Sequence, residues 1–596
     1  MLRRAWIITR SFGYDVLKFE LFFPLRDTWK NIIAKFSLSQ FKTMSSQWGS
    51  ILKHSDSNRI CVKNLPDDVS QHIIFAPINS FGEKVTAFES LVAKSLSLQG
   101  HKVSILTCDS SLPACLWNVY GDHSHDTEIF SPPKTEYSKK ALCRQCTKKN
   151  KATYSNLELN TISLKSYASQ EVLLRAVLFV DSNMNGYYEP VIYKGINVTE
   201  HAYSSTIRKM VRGTLKEDEW SKFLFRRFMV SAVYYIDMLE KMTAEQKPDC
   251  FVCVHGIYLE HGVLVDFANN NNIRVVVHGT PYRKGTIWLA HKDTYHRTLV
   301  NEPIDRWDRI NMTDEMKTKV SAYLNSKISG GRENVNYNPS PILDKEQMLS
   351  EIGLDINKRI VSVFTNTLWD AQVVYKSNVF ENMLEWLYET IDYFISCPDT
   401  QLAIRIHPAE SKGGFSTNQP IVEEINNKYP SLPSNIFIIA PESDVSSVLL
   451  ADVSSAAIIY ATKLGIELAY RKVPLIVAGE TLCRGKGFSI DISSKEHYVA
   501  TLASIGNLNI DVGKASVLAE KYAYHLFFNL MIEFPYITSD FTTNRLVQLN
   551  FNSLQDILPG KDRGLDVVCE GILNGKPFEY MDLEDTTFAI SGALTR

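Results

Sequence analysis

The residues best suited to chemistry lie in one late tract of the chain. Thr462, Gly465 and Glu467 follow the apolar run 456–460, and Arg484, Gly485, Lys486 and Gly487 follow a second run, 473–477. A strand that hands a hydroxyl and a glycine to a helix start leaves backbone N–H groups unpaired there, and such groups bind anions. Two cations set between glycines suit the same occupant, because glycine lets backbone approach a phosphate closely; the rival reading is a solvated basic loop. Upstream, Arg405-Ile406-His407-Pro408 ends another apolar run and holds an imidazole in a turn that proline stiffens. His407, Pro408, Thr462, Gly465, Arg484 and Lys486 are therefore expected to meet a departing phosphate with donors and cations. Glu467 either accepts hydrogen bonds from ribose hydroxyls or serves the positive end of its helix.

The first half carries a different set. His255, Glu260, His278, Arg283, Asp293 and His296 fall at the ends of apolar runs or in the segments after them. A transfer to a hydroxyl needs a carboxylate or imidazole as general base, or a carboxylate as nucleophile. Glu260, Asp293 and His255 are the expected catalytic groups, with Gly82, Arg283 and His296 expected to bind an acceptor. Each histidine here has an orienting or packing role as its alternative. Cys108, Cys115, Cys143 and Cys146 form a third set, the last two spaced as in zinc sites. Two readings stay open for them, a structural Zn²⁺ or unrelated core and loop thiols; no cofactor is expected for catalysis.

Alternating strands and helices must position these groups. The run 73–76, the stripe Val85, Phe88, Leu91, Val92 and Leu96 ended by Gly100, and the run 103–106 make one strand–helix–strand unit. A second reads 250–254, 262–270 and 273–277, and the alternation resumes from 359 to 477. Such units demand a parallel sheet with right-handed crossovers. Two parallel α/β sheets follow, separated by the turn-rich stretch near 325–341, with ligands expected at the carboxyl ends of the strands. Residues 128–212 read as polar and irregular apart from a helix near 170–180.

Composition bounds the function. With 596 residues the chain exceeds one hydrophobic core, and 45% apolar and 22% charged residues are ordinary for a soluble protein. A formal net charge of −2 gives no electrostatic basis for nucleic-acid binding. No apolar run approaches the roughly 20 residues of a membrane-spanning helix. Ten cysteines in so long a chain suggest a reducing cytoplasm rather than a disulfide framework. The first 57 residues mix Arg3, Arg4, Arg10 and Lys18 with Trp6, Phe12, Phe19 and Trp29, which suits either a membrane face or an extension packed on the body.

The tract Tyr460 to Glu467, with Pro474 to Gly479 and Cys483-Arg484-Gly485-Lys486-Gly487-Phe488-Ser489, resembles the donor-site region of capsule-polysaccharide biosynthesis proteins, GT-B-type glycosyltransferases related to the capsular Kdo transferases. Arg405 to Pro408 resembles the His-Pro element of that group and of the glycerophosphotransferases, and His255 to Tyr258, Gly279 to Arg283 and His291 to His296 are further matches. Leu482-Cys483 departs from the His-Tyr-like pair of that pattern. The resemblance implies an α/β, GT-B-like fold of two Rossmann-like domains facing a central cleft. The expected plan is an extension at 1–57, an acceptor domain at 58–330, a linker at 331–341, a nucleotide-sugar domain at 342–510 and a helical extension at 511–596. It implies transfer of a sugar from a nucleotide-activated donor, CMP-Kdo among the candidates, to a surface-polysaccharide or glycolipid acceptor, in the cytoplasm or at the inner membrane face. A CDP-polyol-dependent glycerophosphotransferase-like enzyme and a non-catalytic glycan-binding scaffold are the alternatives.

Overall fold

Runs that are apolar on both faces become interior strands of parallel sheets. The strand His72–Ile78, all seven residues buried, is one of these. The computed structural model describes residues 43–55, 65–66, 69–79, 82–117, 139–329, 332–338, 340–370, 379–412, 417–539 and 547–580. In chain order the strands of the first half are β1 (His72–Ile78), β2 (Lys102–Thr107), β3 (Asn160–Ser163), the hairpin β4 (Ile192–Tyr193) and β5 (Ile196–Asn197), β6 (Cys250–Val254), β7 (Arg274–Gly279) and β8 (Thr286–His291). The second half adds β9 (Arg359–Phe364), β10 (Thr400–Arg405), β11 (Ile436–Ile439), β12 (Ala456–Ile459), β13 (Leu475–Val477) and β14 (Ile490–Asp491). Last come β15 (Ile532–Glu533), β16 (Ile537–Ser539) and β17 (Val547–Leu549).

The first sheet runs β15-β8-β7-β6-β1-β2-β3, parallel from β7 to β3, with β8 and β15 added antiparallel at one edge. The second runs β11-β10-β9-β12-β13-β14 and is parallel throughout. Each has the doubly wound order in which the winding reverses beside the first strand, between β1 and β6 and again between β9 and β12. The chain is thus an α/β protein of two Rossmann-like lobes in the GT-B-like plan. Alternation along a strand splits each core in two: Ile74, Ala76 and Cys253 face one layer of helices, and Ile73, Phe75 and Cys250 the other.

Three features depart from the expected organisation. Residues 128–212, read as irregular, contain the helices Lys139–Tyr154 and Val198–Met210 besides Gln170–Asn183. The segment after the helix Val512–Tyr524 crosses back, so that β15 joins the first sheet and the helix Arg563–Asn574 packs into the first lobe's core. The described residues from 511 to 580 are therefore shared between the lobes, the helix Val512–Tyr524 lying in the core of the second. The linker is packed as well: Glu333 is buried, and Asn334 donates from its side chain to the Pro281 carbonyl at 2.7 Å.

The N-terminal residues 1–42, on which the membrane-face reading rests, lie outside the described residues. From 43 onward, the helix Met44–His54 packs on the first lobe through Trp48, whose indole donates to Ser90 Oγ at 3.0 Å. Among the described residues no helix is long and apolar enough to cross a membrane.

Candidate active site

Both switch points open toward the space between the lobes. In the second lobe, β9 delivers Thr365 and Asn366, and β12 delivers Ala461 and Thr462. The Asn366 amide spans the two ends, donating to the Ala461 carbonyl at 2.8 Å and accepting its N–H at 3.2 Å. His407 follows β10, and its N–H donates to Thr365 Oγ1 at 3.0 Å. Its Nδ1 accepts the Ala409 N–H at 3.1 Å, which puts the proton of the neutral ring on Nε2.

In the first lobe, β6 ends at His255, whose φ of +66° is followed by +71° at Gly256. A left-handed histidine is uncommon, and such strain persists where the surroundings hold it. Here the His255 N–H donates to the His278 carbonyl at 2.8 Å. Its Nδ1 is buried with no partner among the described residues. The ring lies 5.5 Å from His296, 5.0 Å from Tyr258 and 6.0 Å from Tyr295.

Asp370 joins these groups. It follows β9 by six residues, and its negative charge acts on Tyr258, Tyr282, Tyr295 and His296 from the first lobe and on Tyr337 and His407 from the second half. Burial drives His255 well below the usual imidazole range, and the neighbouring His296 and Arg208 push it the same way. Burial takes His296 and His407 down to about 4, with Asp370 pulling both back up. Three neutral imidazoles and one carboxylate therefore share the interlobe cleft near neutrality. A carboxylate that faces groups of both lobes in this way is a candidate general base or nucleophile.

The expected site residues divide. His255 and His296 lie ring beside ring, His407 joins them through the charge of Asp370, Pro408 follows His407 in the chain, and Thr462 follows β12 with its hydroxyl accepting the Leu464 N–H at 3.3 Å. Gly465 is held by packing instead, because a Cβ there would stand 2.8 Å from Cys483 Sγ and 2.8 Å from Ile459 Cδ1. Glu467 is buried, its charge acting on Tyr323 and Arg471. Arg484 donates to the Gly479 and Ile492 carbonyls of its own loop. Lys486 is buried and donates to the Val300 and Glu302 carbonyls. The glycines beside it serve the turn, with φ of +73° at Gly485 and +78° at Gly487. Both cations thus hold backbone carbonyls here, Lys486 from a buried position and Arg484 from a half-buried one.

The same holds for part of the first-lobe set. Glu260 is 1% exposed and accepts the Leu116 N–H at 2.9 Å, burial raising its carboxyl above the usual range. It anchors the loop after β2. Asp293 accepts the Thr294 N–H at 2.6 Å and lies 3.6 Å from Arg297, which is itself paired with Glu200. Arg283 donates to the Phe527 and Met531 carbonyls at 2.9 and 3.3 Å, which ties it to the returning C-terminal segment. Gly82 caps the helix Glu83–Leu98 at an ordinary φ of −90°. Cys108 follows β2 with its thiol pushed up to about 12 by burial, and Cys143 and Cys146, on the helix Lys139–Tyr154, add to that rise. Among the described residues no group of three or more His, Cys, Asp or Glu side chains is placed to hold a metal ion.

The depressed imidazoles give a pH dependence of stability. An unfolded histidine takes its proton near pH 6.5. The native His407 takes its proton only near 4. The His407 contribution is thus complete above pH 6.5 and lost as the pH falls to 4. Each such ring steepens the acid loss by up to about 1.4 kcal/mol per pH unit. Denaturant titrations of wild type and His407→Gln between pH 4 and 7 should show the shallower acid slope in the variant. Glu410, pushed up to about 8 by burial, works in the opposite sense, contributing below its unfolded value and losing that contribution as the pH rises toward 8. It does so equally in both proteins, so it leaves the difference intact.

No protein-family model matches the chain. No curated protein is detectably similar to it. Among solved structures, the beta Kdo 2,4 transferase of Thermosulfurimonas dismutans KpsC is 10% identical, over 48% of this chain and 81% of that one, with a TM-score of 0.31. The spinosyn rhamnosyltransferase SpnG complexed with spinosyn aglycone is 11% identical, over 76% and 96%, with a TM-score of 0.25. The UDP-GlcNAc 2-epimerase of Neisseria meningitidis bound to UDP-GlcNAc is 12% identical, over 80% and 97%, with a TM-score of 0.25. At these values no residue and no role passes from those proteins to this one.

Proposed function

We propose that the chain is a cytoplasmic glycosyltransferase that moves a sugar from a nucleotide-activated donor to a hydroxyl of a polysaccharide or glycolipid acceptor. The observation that carries this reading is the Asp370 carboxylate set between lobes among imidazoles held neutral by burial. In the transfer, the acceptor oxygen or Asp370 itself forms a bond to the anomeric carbon as the bond from that carbon to the phosphate breaks. Asp370 acts either as the base that takes the hydroxyl proton or as the nucleophile of a double displacement. The leaving nucleoside phosphate gains negative charge near His407 and Thr462, at the β9–β12 switch point where a doubly wound lobe takes its ligand. His407 offers its Nε2–H to that charge.

A nucleotide that binds only the folded protein raises its apparent stability, by about 2.7 kcal/mol at a hundredfold excess over Kd. CMP, UDP, dTDP and GDP, screened by thermal unfolding, should include at least one that raises the midpoint by several degrees. CMP-Kdo is the first donor to try in transfer assays. A flat response to all four nucleotides at millimolar concentration would sink the reading.

A further inference from the structure

One cation in the cleft is stacked on aromatic rings and bonded to no acceptor. The guanidinium of Arg208, in the last turn of the helix Val198–Met210, lies 4.4 Å from the Trp369 ring centroid and 5.8 Å from that of Tyr258. Among the described residues no carbonyl or carboxylate takes its N–H groups. A half-buried arginine without an acceptor leaves its five donors for a ligand, and stacking fixes the plane in which they fan out. The ring beneath it belongs to the residue before Asp370, and the Arg208 and Asp370 charges act on the same three tyrosines, Tyr258, Tyr295 and Tyr337. The Arg208 charge acts on His255, Tyr258, Tyr295 and Tyr337, the same groups that line the cleft.

The surrounding backbone is built to hold this register. Val211, the C-cap of that helix, has a φ of +54°, a left-handed conformation that a β-branched residue resists. The second lobe holds it there: the Asn418 N–H donates to the Val211 carbonyl at 2.9 Å, and the Asn418 amide donates to the Met210 carbonyl at 2.8 Å. The Gln419 side-chain oxygen accepts the Gly213 N–H at 3.0 Å. Gly213 abuts Leu368 so closely that a Cβ would stand 2.6 Å from the leucine Cβ. The helix end and the segment 368–370 are thus clamped together across the lobes. The Trp369 indole N–H is buried with no partner among the described residues, a second unspent donor beside the guanidinium.

We propose that Arg208, stacked on Trp369, recognises an oxyanion carried by the substrate, either a phosphate of the nucleotide or a carboxylate of the sugar. This rests on the transferase reading, in which donor and acceptor meet beside Asp370. A planar fork suits both oxyanions, since each offers two oxygens to parallel N–H bonds.

Titration calorimetry on the full chain tests it with matched probes: CMP and UDP against cytidine and uridine, and glucuronate against glucose. Arg208→Gln should weaken at least one anionic probe tenfold or more and leave its neutral counterpart unchanged. Arg208→Lys, which keeps the charge but lacks the fork, should restore only part of that loss. Loss confined to the nucleotides assigns the phosphate, and loss confined to glucuronate assigns the carboxylate. Equal binding of every anionic probe by wild type and Arg208→Gln overturns the proposal, as does wild-type protein that binds no anionic probe. A nucleotide held equally by both proteins leaves the transferase reading standing, whereas glucuronate bound through Arg208 with no nucleotide bound would count against that reading alone.

Discussion

Asp370→Asn is expected to lower kcat for sugar transfer by about 10²–10⁴-fold, the range lost when a positioned acid–base group is removed. The amide keeps the shape of the carboxylate but neither takes a proton nor attacks an anomeric carbon. The donor's KM should move little, because the residues placed near the leaving group, His407 and Thr462, are untouched. Since Asp370 also raises the proton affinity of His296 and His407, the variant should shift both imidazoles lower still, which NMR titration of the ring protons would register. Glu260→Gln is the control. Its amide oxygen can still accept the Leu116 N–H, and its native carboxyl is already pushed toward the neutral form by burial, so transfer should persist at a wild-type level. Wild-type turnover in Asp370→Asn would remove the carboxylate from the mechanism.

How far the sequence could be read depended on whether a residue's role is local. The strands at 359–364, 400–405 and 436–439 stand out because parallel strands buried on both faces are short unbroken apolar runs, and the helix Ile421–Lys428 because its stripe is one-sided. The 28-residue helix Glu219–Gln246 hides for the opposite reason. It is buried nearly all round, from Leu224 to Leu239, so no polar face marks its period. Residues placed by strand ends, His255 and His407, came out at the cleft, since a strand's carboxyl end faces the crevice whatever its neighbours are. Asp370 escaped notice because it stands in an unremarkable segment, Asn366-Thr367-Leu368-Trp369-Asp370, and only the doubly wound order of the sheet places it at the switch point. Arg208 escaped because its partner ring, Trp369, is 161 residues away in the chain.

Glycine and charge patterns were the weakest guide. The tract from Gly465 to Gly487 satisfies the composition of a phosphate cradle, yet Gly465 and Gly479 answer close packing, and Gly485 and Gly487 the left-handed backbone of the turn. Gly465 and Cys483 approach so closely that neither position accepts bulk. Cys483 also donates its thiol to the Thr462 carbonyl at 3.7 Å, so this contact seats the helix Leu464–Tyr470 on the loop.

The fate of Lys486 separates the two accounts of that tract. The residue is 1% exposed, and its ammonium donates to the carbonyls of Val300 and Glu302, joining the loop after β13 to the segment that leaves the first sheet. Burial pushes its proton affinity down and the Glu302 charge restores part of it, as expected for a cation held by backbone and carboxylate together. Removing it strands the buried Glu302 carbonyl and the part-buried Val300 carbonyl, and a hydrogen bond to a charged group contributes about 1.5–3 kcal/mol. Lys486→Met keeps most of the stem's packing and is expected to cost on the order of 2–3 kcal/mol net, after relief of the buried charge. The denaturant midpoint should fall with the slope unchanged, and the affinity of whichever nucleotide stabilises the wild-type protein should stay within a factor of about two. A phosphate-binding lysine predicts the reverse, affinity lost and stability kept. That outcome would place the nucleotide against the Arg484–Lys486 loop and return the donor site to the region that composition first indicated.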